Sequence, residues 1–228
     1  MTTASRVSLD HLPLPAPGLR LAMTYAEYLA WAPETMLAEW TAGEVSVAMP
    51  AKDRHQRVVA LLSALMTFFV GARKLGRVSL APFEVRLEPA GPSREPDLFF
   101  VTTGRLEGLT DDRFYGGSDL VVEVISDDSV QRDCVDKLEE YRLAGVSEYW
   151  IIDPRPRHHR TAVYTLNEQG SYQRLGPDDE HGVVQSRILP GFWIDLAWLW
   201  RQEANPVELF TRITAAADGA AGTGAQDL

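Results

Sequence analysis

The chain has 228 residues, 45% of them hydrophobic, with six Trp, seven Tyr and eight Phe, which is enough for one sizeable core and favours a single domain. A formal net charge of −10 gives no global field for polyanions, so any nucleic-acid contact has to rest on a local basic patch. The single cysteine, Cys134, excludes an internal disulfide framework and fits a reducing compartment. No apolar run reads as long enough to span a bilayer, so no membrane partner is expected. The start of the chain lacks an apolar signal core, so a cytoplasmic location is expected.

Residues 1–21 are Pro-rich and read as a loose arm. Thr24 and Glu27 form the Ser/Thr-x-x-Glu capping box of a short helix that ends before Pro33. "LAEWTAGEVSVAMP" predicts a hairpin about Ala42-Gly43. The next helix has Asp53 as its expected N-cap and Gly76 at its end. Val58, Leu61, Leu62, Leu65, Met66 and Phe69 recur along it at helical spacing and mark a core face. "RVSLAPFEVRL" reads as one or two strands interrupted by Pro82, followed by the strands "PDLFFVT" and "DLVVEVIS". A helix from "SVQRDCVDKLEEYRL" stops at Gly145, and "EYWIID" is a strand stopped by Pro154. "TAVYTL" and "SYQRL" make a hairpin, and "DLAWLWRQ" a short terminal helix. The order predicts an α/β (borderline α+β) fold, a mixed sheet flanked by helices, over residues 22–212, with a disordered small-residue tail at 213–228.

"DLVVEVIS" places Glu123 on the same face as Val121 and Ile125. A carboxylate over an apolar surface takes up a proton unless a cation holds it ionised. Asp97 opens "PDLFFVT" with Phe99 and Val101 on its face, and Pro96 before it donates no ladder hydrogen bond. If the two strands are neighbours, the acids lie side by side. With the Val124 carbonyl they form an oxygen-only ligand set suited to Mg²⁺ or Mn²⁺. Lys137 follows Asp133 at i, i+4 on the next helix, with Tyr141 one turn on, so its face can return over the strand. The plainer alternatives are a structural ion pair for Glu123 and an exposed helix pair for Asp133 and Lys137. Tyr141, Tyr149 and Trp150 read as packing residues. Residues 52–77 carry Lys52, Arg54, Arg57, Arg73, Lys74 and Arg77 against Asp53, the basic region of an acidic chain.

Pro96-Asp97, then a strand carrying Glu123, resembles the PD-(D/E)xK nuclease superfamily, whose fold is restriction-endonuclease-like. The run Glu123, Val124, Ser126, Asp133, Lys137, Tyr141, Tyr149, Trp150, Asp153, Pro154 more closely resembles the Uma family, also called domain of unknown function 820. "TAGEVSVAMP" upstream and "LPGFWIDLAWLW" downstream extend the likeness to roughly residues 22–200. The superfamily's lysine would stand where this chain has Ile125, and the resemblance implies that Lys137 takes its role. It implies a Mg²⁺- or Mn²⁺-dependent endonuclease acting on DNA. Asp97, Glu123 and Lys137 would be catalytic. Glu44 would be an outer or second-metal ligand, and His55 a phosphate contact or acid. A homodimer is reasonable by analogy with enzymes that cut both strands. A nuclease fold retained as a non-catalytic binding or scaffold protein is the alternative, and a phosphodiesterase acting on RNA or nucleotides is a third.

Overall fold

The computed structural model describes residues 12–33, 36–127, 129–176 and 182–222. In chain order these form β1 (Arg20–Ala22), α1 (Tyr25–Trp31), β2 (Ala38–Thr41), β3 (Glu44–Val47), α2 (Asp53–Arg73), β4 (Gly76–Leu80), β5 (Glu84–Arg86) and β6 (Ser93–Arg94). There follow β7 (Leu98–Thr102), β8 (Arg113–Tyr115), β9 (Leu120–Val124), α3 (Lys137–Leu143), β10 (Glu148–Asp153), β11 (Arg160–Leu166), β12 (Tyr172–Leu175), β13 (Val183–Gln185), β14 (Trp193–Asp195) and α4 (Pro206–Gly222). The expected α/β architecture is present, but its strands divide into two six-stranded sheets and a separate hairpin of β13 and β14. One sheet runs β12-β11-β10-β9-β7-β4, and the other β1-β3-β2-β6-β5-β8. The chain leaves the first for the second at Ala81-Pro82, between β4 and β5, because Pro82 cannot continue a ladder.

Strand alternation splits the larger sheet into two environments. Leu98, Phe100, Leu120, Val122, Val124, Trp150 and Ile152 pack with Val58, Leu62, Leu65, Met66 and Phe69 of α2. Phe99, Val101, Val121, Ile125, Tyr149 and Ile151 face the other way, toward Tyr141 of α3 and Val85 and Phe114 of the second sheet. β9 and β10 are parallel, and the crossover that parallel neighbours require contains α3. That crossover returns α3 to the Glu123 side of the sheet.

The capping box is formed, with Thr24 accepting from the Glu27 amide. The first hairpin turns at Ala42 (φ 50°) and Gly43 (φ 88°), the positive angles a tight two-residue loop requires. Other expectations need correction. α2 is capped at Lys52 with no side-chain bond, and Asp53 lies inside the helix, paired with Arg57 at 2.8 Å. Lys74 (φ 53°) closes α2. Gly76 instead opens β4, where an added Cβ would stand 2.0 Å from the Val101 carbonyl oxygen. α2 is in fact long and apolar enough to cross a membrane by length and composition, and its buried face marks it as the core helix of this sheet.

The arm is fixed from Leu12 onward. The Pro13 carbonyl accepts from Trp31 at 2.7 Å, and β1 pairs with β3; residues 1–11 lie outside the described ones. "DLAWLWRQ" yields only a 3₁₀ turn, Leu196–Trp198, capped by Asp195. The helix lies further on, in the expected tail. α4 reaches Gly222 because alanine favours helix and because Leu209, Phe210 and Ile213 dock on α2. Residues 223–228 lie outside the described ones.

Candidate functional site

β7 and β9 pair antiparallel, with Leu98 opposite Val122 and Phe99 opposite Val121. One step further along that register puts Asp97 opposite Glu123. Ile125 donates its N–H to Ile152 in β10, so the Val124 N–H and carbonyl are directed to the β7 side. The Val124 N–H donates to Asp97 Oδ2 at 2.7 Å, and His55 Nε2, in the first turn of α2, lies 3.2 Å from the same oxygen. Asp97, Glu123, Val124, His55 and Lys137 all line one cleft of about 400 Å³, whose other wall includes Met36, Met49 and Pro50.

Asp133, Lys137 and Tyr141 stand one turn apart and present one face to β9. A π-helical turn, Arg132–Asp136, precedes α3. The exposed-pair reading of Asp133 and Lys137 fails, since both side chains are 3% exposed. Lys137 Nζ lies 2.8 Å from Glu123 Oε1, 2.9 Å from Glu39 Oε1 and 3.4 Å from Asp133 Oδ1. Tyr141, expected only to pack, also donates to Glu123 Oε1 at 2.7 Å. Behind the lysine, Arg94 reaches Glu39 at 3.1 Å and forms a two-pronged pair with Glu140. Arg132 completes the group, 3.6 Å from Glu39.

Three cations, Lys137, Arg94 and Arg132, thus face four carboxylates, Glu39, Glu123, Asp133 and Glu140. The cluster is short of positive charge, and a buried deficit of this kind draws in a proton or a cation. Burial raises the Glu123 pKa to about 8; Lys137 opposes the rise, and Asp133, Asp97 and Glu39 add to it. Burial would also raise Glu39, but Lys137 and Arg94 outweigh it and hold that carboxyl near 2. For Lys137 burial works against the ammonium, and the carboxylates of Glu123, Glu39 and Asp133 more than reverse it, raising its pKa. Burial likewise opposes the charged form of His55, but the bond to and charge of Asp97 lift its pKa above the ordinary value. Glu95, also on the cleft wall, is pushed up to about 8 by burial, against a bond from the Ala38 N–H.

Among the described residues, no three His, Cys, Asp or Glu side chains gather into a metal-holding group. The oxygen donors are fewer and specific. Every contact to Glu123 falls on Oε1 and every contact to Asp97 on Oδ2, leaving one oxygen of each without a partner among the described residues. With the Val124 carbonyl directed to the same side, this all-oxygen set, beside a deficit of positive charge, fits a hard divalent ion.

Glu44 does not join it. It shares a strand face with Glu39, but it sits at the turn, beyond the cleft lining, exposed and paired with Arg20 at 3.4 Å. The basic region is largely spent on neighbours: Lys52 and Arg54 both bind Asp127, Arg57 binds Asp53, and Arg73 covers the Phe69 ring. Sequence reasoning missed Glu39, Arg94, Arg132 and Glu140. Glu39 and Arg94 lie on short strands, and Arg132 and Glu140 on the π-helical turn and α3, and no pattern in the sequence marked them.

A family model described as "Uma2: Putative restriction endonuclease" matches residues 25–197. The chain belongs to the Uma2 family. The Uma2 match runs from α1 to the 3₁₀ turn after β14 and contains every cleft-lining residue except Pro17. No curated protein matches the chain. Among solved structures, the Uma2 chain is similar to one titled a "putative nuclease belonging to DUF820 from Anabaena variabilis ATCC 29413". The two are 17% identical with a TM-score of 0.63, over 78% of this chain and 97% of that one, a likeness of fold.

Proposed function

We propose that this Uma2 protein is a divalent-metal-dependent endonuclease that hydrolyses DNA phosphodiester bonds. The carrying observation is the convergence of Asp97, Glu123 and Lys137, from two strands and a helix, in one cleft. The family's description as a restriction endonuclease supports the nuclease class and DNA as substrate.

Asp97, Glu123 and the Val124 carbonyl would hold Mg²⁺ or Mn²⁺. Such an ion, when bound, supplies Lewis acidity, drawing charge from phosphate oxygens and acidifying water. Lys137 holds a fixed positive charge at the cleft, where negative charge builds on the phosphate during displacement. Preorganised charge in a poorly hydrated site is worth far more than the same charge in water. His55 holds the Asp97 carboxylate in place through its 3.2 Å contact. It lines the cleft beside Asp97, and its raised pKa favours the protonated ring that would contact phosphate or give a proton to the departing oxygen.

The scaffold reading also has an observation in its favour: the Lys137 ammonium is surrounded by three carboxylates, as in a structural ion cluster. Metal titration and cleavage of supercoiled plasmid, single-stranded DNA and RNA by wild type and Glu123→Ala separate the readings. The nuclease reading expects metal binding and nicked plasmid, both lost in the variant and in chelator. Metal binding without cleavage of any substrate would favour the scaffold, cleavage of RNA alone the third class, and neither binding nor cleavage would end the proposal.

A further inference from the structure

Glu39 comes from β2 in the second sheet, yet its carboxylate lies as near the Lys137 ammonium as that of Glu123 does, at 2.9 Å against 2.8 Å. The contacts behind it close a ring. Lys137 of α3 meets Glu39 Oε1; Glu39 Oε2 accepts from Arg94 Nη1 of β6 at 3.1 Å; Arg94 Nε and Nη2 each donate to Glu140 at 2.7 Å. Glu140 lies on α3 again, three residues after Lys137. The Glu95 N–H adds a bond to Glu39 Oε1 at 3.2 Å. Lys137, Arg94 and Glu39 have side chains 3%, 4% and 7% exposed, and only Glu140 reaches solvent appreciably.

Burying such a ring is not an efficient way to stabilise a fold, because desolvating the charges consumes most of their attraction, and apolar residues of the same volume often do as well. Geometry is what it does provide. Lysine carries its charge on a flexible four-carbon stem, and an ammonium launched from a helix has many rotamers to lose. Ring closure through two strands of the other sheet leaves it one position. We propose that Glu39 is a positioning residue: backed by Arg94, it pins the Lys137 ammonium beside Glu123 at the cleft. The proposal rests on the reading of Lys137 as the site's ammonium.

The chain has three lysines, and Lys52 and Lys74 are exposed, which makes the test direct. In protein labelled with ¹⁵N-lysine, only Lys137 can give an ammonium resonance protected from solvent exchange. Wild type is expected to show one such resonance at neutral pH. Glu39→Gln is expected to lose it to fast exchange while the backbone amide spectrum keeps its dispersion. In the cleavage assay, the same variant should lower kcat by on the order of 100-fold, the scale of a misplacement of about 1 Å, with KM nearly unchanged. Glu39→Asp, which keeps the charge, should restore part of both signals. If Glu39→Gln does not fold, Glu140→Gln at the exposed end of the ring should shorten the lifetime of the resonance. An unchanged resonance in the variant that folds, or no protected resonance in wild type, would overturn the proposal. A wild-type resonance lost in Glu39→Gln from a protein that cleaves nothing would leave the ring standing and remove the nuclease reading alone.

Discussion

Glu123 and Glu148 are both buried glutamates, on the paired strands β9 and β10, and they have been put to opposite uses. Glu148 has both oxygens engaged: Trp150 Nε1 donates to Oε1 at 2.6 Å, and the Arg187 and Ile188 amides donate to Oε2 at 2.7 and 3.2 Å. It ties the segment before β14 to the sheet and is not among the residues that line the cleft of Glu123. Glu123 has its partners on one oxygen, and it lines the cleft. Burial raises both pKa values, that of Glu123 to about 8. The difference lies in what remains to be satisfied. A carboxylate closed on both sides is a strut, whereas one left half open beside other acids is a place for a cation.

The strongest way to break this contrast is to neutralise each residue in turn. Glu123→Gln, and likewise Asp97→Asn, should reduce plasmid cleavage roughly 1,000-fold, while the unfolding free energy without metal changes by no more than about 1 kcal/mol. Glu148→Ala leaves the buried Trp150 Nε1 and the part-buried Arg187 N–H without their acceptor and should cost about 2 kcal/mol in urea titration, with cleavage per folded molecule unchanged. Similar behaviour of the two variants in both assays would refute the contrast.

The protonation of Glu123 sharpens it. Its folded pKa of about 8 lies above the ordinary carboxylate value of about 4.3, so the folded state holds this proton more tightly than the unfolded chain does. The resulting stabilisation is complete below about pH 4 and is lost as pH rises through about 8. A divalent ion competes for the same carboxylate. Its affinity should therefore strengthen by up to about tenfold per pH unit below about pH 8 and level off above it. Calorimetric titration with Mn²⁺ across that range checks the slope, and a pH-independent affinity would remove Glu123 from the ligand set. The smallest effect belongs to Glu44→Ala: a stability change within about 0.5 kcal/mol, as for an exposed ion pair, and unaltered cleavage. Loss of metal binding there would return Glu44 to the site.

Local order in the sequence made the strand half of the site legible. Two-residue alternation placed Glu123 with Val121 and Ile125 and Asp97 with Phe99 and Val101, and the β7–β9 pairing supplies the adjacency that the sequence left conditional. Helical spacing put Asp133, Lys137 and Tyr141 on one face. What spacing could not give was the environment of that face. A charged pair at i, i+4 looks the same whether water or a second sheet lies opposite, so the burial of Asp133 and Lys137 was hidden. Glu39 and Arg94 were hidden for a related reason. They sit on strands of four and two residues, too short for a pattern, and they meet across 55 positions of sequence. The role for Glu44 came from the family resemblance; in the fold it shares a strand face with Glu39 but sits at the turn end of the hairpin, beyond the cleft lining. The alanine-rich segment after Thr214 looked structureless because its composition promises little burial, yet Leu209 and Ile213 just before it anchor the helix.

The cleft's charges come from both sheets, joined through α3 by side chains distant in the sequence. Contacts of that kind close long loops, and loop closure is the slow part of assembling a chain. Each sheet can acquire its own ladder, Glu39 and Arg94 meeting across β2 and β6, before Lys137 joins them. A nascent or partly opened molecule would then carry its acidic residues without the ammonium locked beside them, so reactivity should mature last, after the bulk of the structure is already in place.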